Sequence, residues 1–171
     1  MKKSSAAILL ACAVAALAWA QEANKKKSAS PDAPVISMTA AKITAPLVLK
    51  DGAIGQPQQT ELPEGGKAVV DFSVPQDGTY EIHAVVNATA EDANSFYLNI
   101  DAPPRDPEMI WDIDVTNGFE ERIVSWRGKG DAESDEFKPK YFKLTAGAHK
   151  LHIVGREPAS LKSVSFHLSA H

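Results

Sequence analysis

Trp111 is followed at once by Asp112 and, one residue further, by Asp114, which puts a large ring and two carboxylates together after a long unpatterned stretch. An indole offers a flat apolar face to the C–H side of a pyranose, and neighbouring carboxylates accept hydrogen bonds from its hydroxyls. Tyr97 and Trp126 invite the same reading. Tyr97 alternates with Phe96 and Leu98, so its ring points away from the face those two share. Arg156 and Glu157 directly follow a strand-like run, where they can reach a ligand's hydroxyl or carboxylate; equally, they can pair with each other and fix the loop before Leu161. Asp101 ends another run and is a further acceptor, with turn capping as its competing task. The expected carbohydrate-binding set is therefore Tyr97, Asp101, Trp111, Asp112, Trp126, Arg156 and Glu157. The competing role for the tryptophans is packing between sheets, and Trp126 is the stronger case for it.

Catalytic chemistry is poorly represented. No acidic residue lies in a recognisable acid/base context for glycoside hydrolysis, and no G-x-S-x-G occurs. No catalytic residue is assigned and no enzyme is expected. His149 and His152 are three apart in a strand-like run, so they fall on opposite faces and cannot share an ion locally. Asp112 and Asp114 share a strand face and, with Asp101 or Asp106, could hold calcium through oxygen ligands, with ordinary solvated carboxylates as the default reading.

The elements that must position these residues read as strands. From Pro34 onward the pattern has period two, in short runs divided by turn residues. Ala68, Val70, Phe72 and Val74 form one apolar face, and Tyr80, Ile82, Ala84 and Val86 another; the turn at Pro75–Gly78 between them predicts an antiparallel hairpin. Phe142 and Leu144 lead into Thr145–Ala148, and Leu151 and Ile153 lead out, which predicts a second hairpin. Phe96, Leu98 and Ile100 form a further strand, and Val164, Phe166 and Leu168 the last. Weaker strands are expected at Val35–Met38, Ile43–Leu49, Met109–Val115 and Glu121–Trp126, with Pro46 sending the second of these to a sheet edge or a bulge. No sustained helical stripe follows the first segment. The fold class expected is an all-β, two-sheet antiparallel sandwich, with function in the long stretches Ala88–Asn94, Asp101–Glu108 and Gly128–Pro139.

The chain of 171 residues has room for one ordinary domain. Met1–Lys3 is a short positive segment, Ser4–Leu17 is apolar, and Ala18-Trp19-Ala20 supplies small residues for signal cleavage, so residues 1–20 read as a signal peptide and the protein as secreted or periplasmic. A minority alternative takes Leu9-Leu10-Ala11-Cys12 as a lipoprotein site. Residues 21–34 read as a polar linker and 35–171 as the domain. Cys12 is the only cysteine, so the domain must be held by its core. Of 18 basic and 22 acidic residues, Lys2 and Lys3 leave with the leader, and the remaining acidic excess argues against nucleic acid as a partner. The leader is too short for a retained transmembrane anchor.

Gly78-Thr79-Tyr80, Ser95 to Asp101, Trp111, Trp126, Phe142 to His149 and Gly155-Arg156-Glu157-Pro158, in that order, resemble the jelly-roll modules of the carbohydrate-binding family 6 and 35 type, within the galactose-binding-like group. The resemblance covers Val35 to Leu168. It implies a non-catalytic module that recognises a polysaccharide or glycan through loop aromatics and polar residues. It also implies a structural calcium, yet the corresponding runs, Ile36–Ala41 and Leu161–Ser165, contain no carboxylate, and Lys162 stands where part of that site would be. No cofactor is therefore expected. The missing carboxylates keep a second reading open, a structural or protein-interaction sandwich with an envelope protein partner and no sugar binding.

Overall fold

The computed structural model describes residues 34–126 and 138–169. The signal peptide and linker expected over 1–33, and most of the polar stretch Gly128–Pro139, lie outside the described residues.

Twelve described strands form two antiparallel sheets. One sheet contains β1 (Val35–Ser37), β3 (Val48–Lys50), β4 (Ala53–Gly55), β6 (Gly78–Asn87), β9 (Glu120–Ile123), β10 (Phe142–Leu144) and β12 (Ser160–Leu168). The other contains β2 (Lys42–Ile43), β5 (Lys67–Val74), β7 (Ser95–Ile100), β8 (Ile110–Asp112) and β11 (Gly147–Gly155), in the order β2-β5-β11-β7-β8. In the first sheet β10, β6, β12, β4 and β3 run side by side, with β9 also on β6 and β1 also on β12. This is the two-sheet antiparallel sandwich that the alternation predicts, in the jelly-roll form that the resemblance implies.

The apolar faces read from the sequence meet in one interior. Phe72, Ile82, Leu98, Ile153 and Phe166 belong to a single buried cluster. Phe72 from one sheet stacks on Phe166 from the other, with ring centroids 3.8 Å apart and planes 5° from parallel. Burying such faces on both sheets supplies the main drive to fold. Leu168, expected to extend the last apolar face, is exposed instead.

Neither expected hairpin forms. β5 pairs with β2 and β11, whereas β6 pairs with β9, β10 and β12, so the turn after Val74 carries the chain from one sheet to the other. The turn after Leu144 does the same in reverse, since β10 pairs with β6 and β11 with β5 and β7. Alternation specifies which face is buried and not which strand lies alongside, and a short turn can equally cross between layers. The two crossings are tied together: Ala146 N donates to Asp77 Oδ1 at 2.7 Å, while Tyr80 Oη donates to Gln76 O at 2.8 Å within the first turn. The run expected over Ile43–Leu49 is divided at Pro46, with β2 joining one sheet and β3 the edge of the other. Proline has no N–H to give a ladder, so the chain changes sheets there.

Candidate functional site

Asn87 of β6, Ser160 of β12, Gly55 of β4 and Val48 of β3 stand opposite one another in register across four neighbouring strands. Their inner neighbours Val86, Leu161 and Ile54 are fully buried, so this row faces outward. At ordinary strand spacing it extends roughly 14 Å. Lys50 and Ala53, paired with each other, continue the same face.

Over this floor stands Phe119, from the segment between β8 and β9, with 44% of its surface exposed. The segment is fixed at its base. Thr116 N donates to Ala88 O and Ala88 N to Thr116 Oγ1, both at 2.8 Å, and Ile113 N donates to Asn94 O at 2.9 Å. Asn117 N donates to Glu120 Oε1 at 2.9 Å, and Gly118 adopts φ +86°, a turn conformation that favours glycine. Phe119 is thus held at the mouth of a cleft of about 360 Å³ lined also by Val48, Lys50, Asp51, Asn87 and Ser160. Lys162, bulged out of β12, places its ammonium 5.5 Å from the Phe119 ring centroid. Gly55 keeps the floor low, because a Cβ there would meet Ala159 O at 2.8 Å.

Gln56 forms a wall of the cleft and has little to spare for a ligand. Its Nε2 donates to Gln58 O, Thr60 Oγ1 and Arg156 O at 3.0, 2.9 and 3.2 Å, and its Oε1 accepts from Gly66 N at 3.3 Å. Asn87 Oδ1 accepts from Thr116 Oγ1 at 3.5 Å, so among the described residues the polar chemistry left to the cleft is that of the Asn87 side-chain amide N–H groups, Ser160, Lys50 and Asp51, set beside an aromatic face.

The residues singled out from the sequence lie elsewhere. Tyr97 does point away from the main interior, as its alternation requires, but it is 1% exposed, covered by Leu62 and packed with Ile110 and Val154. Burial and the nearby Asp106 carboxylate push its phenol up. Trp111 is also 1% exposed, with its ring centroid 6.5 Å from that of Phe96 inside the core. Neither ring presents a face to solvent, which corrects the expectation that they meet a sugar. Trp126 donates its Nε1–H to Leu98 O at 3.0 Å, sets its ring edge-on to Phe142 and lies under the Lys140 ammonium at 4.2 Å. That is the packing role the sequence had favoured for it.

Arg156 and Glu157 are turned on each other. Arg156 Nη1 donates to Glu157 Oε1 at 2.5 Å and to Ser95 Oγ at 2.8 Å, while Glu157 Oε2 accepts from Ser95 Oγ at 2.7 Å and Asn94 N at 3.3 Å. Asp112 is buried with its Oδ1 4.0 Å from the same guanidinium nitrogen. This corner ties loops together, with both side chains engaged within the chain. Asp101 turns at the far end of β7 with φ 59°, accepting from Lys150 N at 2.9 Å and lying 2.6 Å from His149 Nδ1, so it ties the end of β7 to β11 rather than capping a local turn. Asp112 and Asp114 border a second cleft, of about 380 Å³, between the edges of β8 and β9. Among the described residues no group of three or more His, Cys, Asp or Glu side chains could hold a metal ion.

No family model matches the sequence, and no curated protein matches it. Solved structures do. A Podospora anserina β-(1,4)-mannanase carrying a family 35 carbohydrate-binding module superposes with a TM-score of 0.59 at 11% identity, covering 82% of this chain and 28% of that one. A family 35 carbohydrate-binding module from Clostridium thermocellum gives 0.55 at 9% identity, covering 80% of this chain and 100% of that one. The C-terminal family 6 module of a marine laminarinase from Zobellia galactanivorans gives 0.51 at 11% identity, covering 79% and 98%. The chain spans little more than a quarter of the mannanase, and identities this low speak for the fold alone. Among the described residues no helix is long and apolar enough to cross a membrane. With its two sheets, crossing turns and buried Phe72–Phe166 stack, the chain has the jelly-roll fold of the family 6 and 35 carbohydrate-binding modules.

Proposed function

We propose that this protein is an exported, non-catalytic glycan-binding module whose ligand lies in the Phe119 cleft. The observation that carries the reading is an exposed aromatic ring held by a fixed loop beside an outward row of polar groups. A pyranose needs that pair of features, one apolar face and a few oriented donors and acceptors. Phe119 would take the C–H face, Asn87 and Ser160 would bond hydroxyls from the floor, and Lys50 and Asp51 would close the open side. The solved mannanase and laminarinase modules, which share the fold, support a glycan as the ligand class. Export follows from the leader read over residues 1–20. An envelope protein partner is the second reading, favoured by the burial of Trp111 and Tyr97.

Retention on insoluble polysaccharides and a glycan array would test this. The wild-type chain is expected to be held by at least one glycan and Phe119→Ala to lose about five- to tenfold in affinity, a stacking contribution of about 1–1.5 kcal/mol. A well-folded sample that no glycan retains would leave the envelope-partner reading in its place.

A further inference from the structure

On the outward face of β6, His83 stands between two carboxylates. Its Nδ1 lies 3.1 Å from Glu121 Oε1 on β9, and its Nε2 lies 3.1 Å from Glu81 Oε1 on its own strand. A neutral imidazole has one N–H and one lone pair, so it can satisfy only one of these partners; an imidazolium satisfies both. Against it, from β12, lies His167, with ring centroids 4.1 Å apart and Nε2 2.8 Å from Ser165 Oγ. Two imidazoliums this close would repel. The arrangement favours one proton charge on the pair, carried by His83.

We propose that His83 and Glu121 form a proton-dependent latch that holds β9 against β6, with His167 as the neutral partner. Phe119 is the residue before β9, so releasing β9 frees the ring from its place over the cleft. Among the described residues the remaining charged groups near His83 are Asp114 and Arg122, which border the same second cleft, and Lys143 of β10, opposite Thr79 farther along β6; Arg122 is engaged with Glu120 at 2.7 Å. From β1, on the far side of β12, no titratable group faces the pair.

Burial opposes the charge on His83, but the hydrogen bonds with Glu121 and Glu81 outweigh it and raise its pKa above 6.5. Burial first, and then His83 itself, lower that of His167. By linkage the His83 tie is fully present below the unfolded histidine pKa and is lost as the pH rises through the raised folded value. The His167 contribution has the opposite sign: it is present above the unfolded pKa, falling off below it as the ring is forced to charge.

Histidine-resolved NMR titration of the ligand-free chain, with amide exchange, tests the latch. His83 is expected to titrate above 6.5 and His167 below it. Glu121→Gln moves the His83 midpoint down, and His83→Gln moves the His167 midpoint up. The β9 amides exchange progressively faster than those of the internal strand β11 as the pH passes the His83 midpoint. Coincident midpoints, or β9 exchange that tracks β11 at every pH, would overturn the proposal. The consequence for sugar binding rests on the Phe119 reading: retention on a bound polysaccharide should weaken through that same midpoint. Pairing of the titrations without any glycan retention would defeat the cleft and leave the latch standing.

Discussion

Phe119 and Trp111 show how residue type and residue position separate. Tryptophan flanked by carboxylates is the stronger chemical signature, yet Trp111 is buried in the core while the less conspicuous phenylalanine stands at 44% exposure over a cleft. The two substitutions should therefore give opposite signatures. Trp111→Ala empties a core site and is expected to cost about 3–5 kcal/mol in urea unfolding. Phe119→Ala removes an exposed ring, so its cost should stay within about 0.5 kcal/mol while glycan affinity falls about five- to tenfold. A Phe119→Ala protein that unfolds as easily as Trp111→Ala would show that the ring belongs to the core. The outward register of Asn87 could be read from alternation, but the alignment of Ser160, Gly55 and Val48 beside it could not, because it depends on which strands pair.

At the scale of elements, the same limit explains the missed hairpins. Ala68–Val74 and Tyr80–Val86 were legible as buried-face strands because each apolar residue recurs at every second position. Their partners were not legible, since a turn such as Pro75–Gly78 joins neighbours in one sheet as readily as strands in two. The covering of Tyr97 by Leu62 was hidden for a similar reason: period two gives a side, and a long loop decides whether that side is wet. The corner at Arg156 and Glu157 is the element-scale device that joins the start of β7 to the turn between β11 and β12. Glu157→Ala would leave the Arg156 charge, 19% exposed, without its nearest counter-ion. The expected loss is about 3 kcal/mol in urea unfolding with an unchanged m-value. A loss below about 0.5 kcal/mol would mean that water replaces the carboxylate at this corner.

For the molecule as a whole, the question is what holds two sheets together where neither a disulfide nor a metal is expected. Cys12, the only cysteine, lies outside the described residues, so no disulfide joins the sheets. The resemblance implies calcium where the first and last strands run together, and β1 pairs with β12 there through Val35–Ser165, Ile36–Val164 and Ser37–Ser163. None of these six residues is a carboxylate, and Lys162 next to them brings a positive charge that would raise the cost of a divalent cation. β1 contributes Ile36 against the core and hands the chain to the buried Met38. Apolar burial thus joins the two ends. A chelator should accordingly leave the thermal midpoint of the whole chain unchanged, and added calcium should not raise it. A rise on adding calcium would mean that a site forms from residues beyond this pair of strands, and the account of the fold as held by its apolar interior would fail.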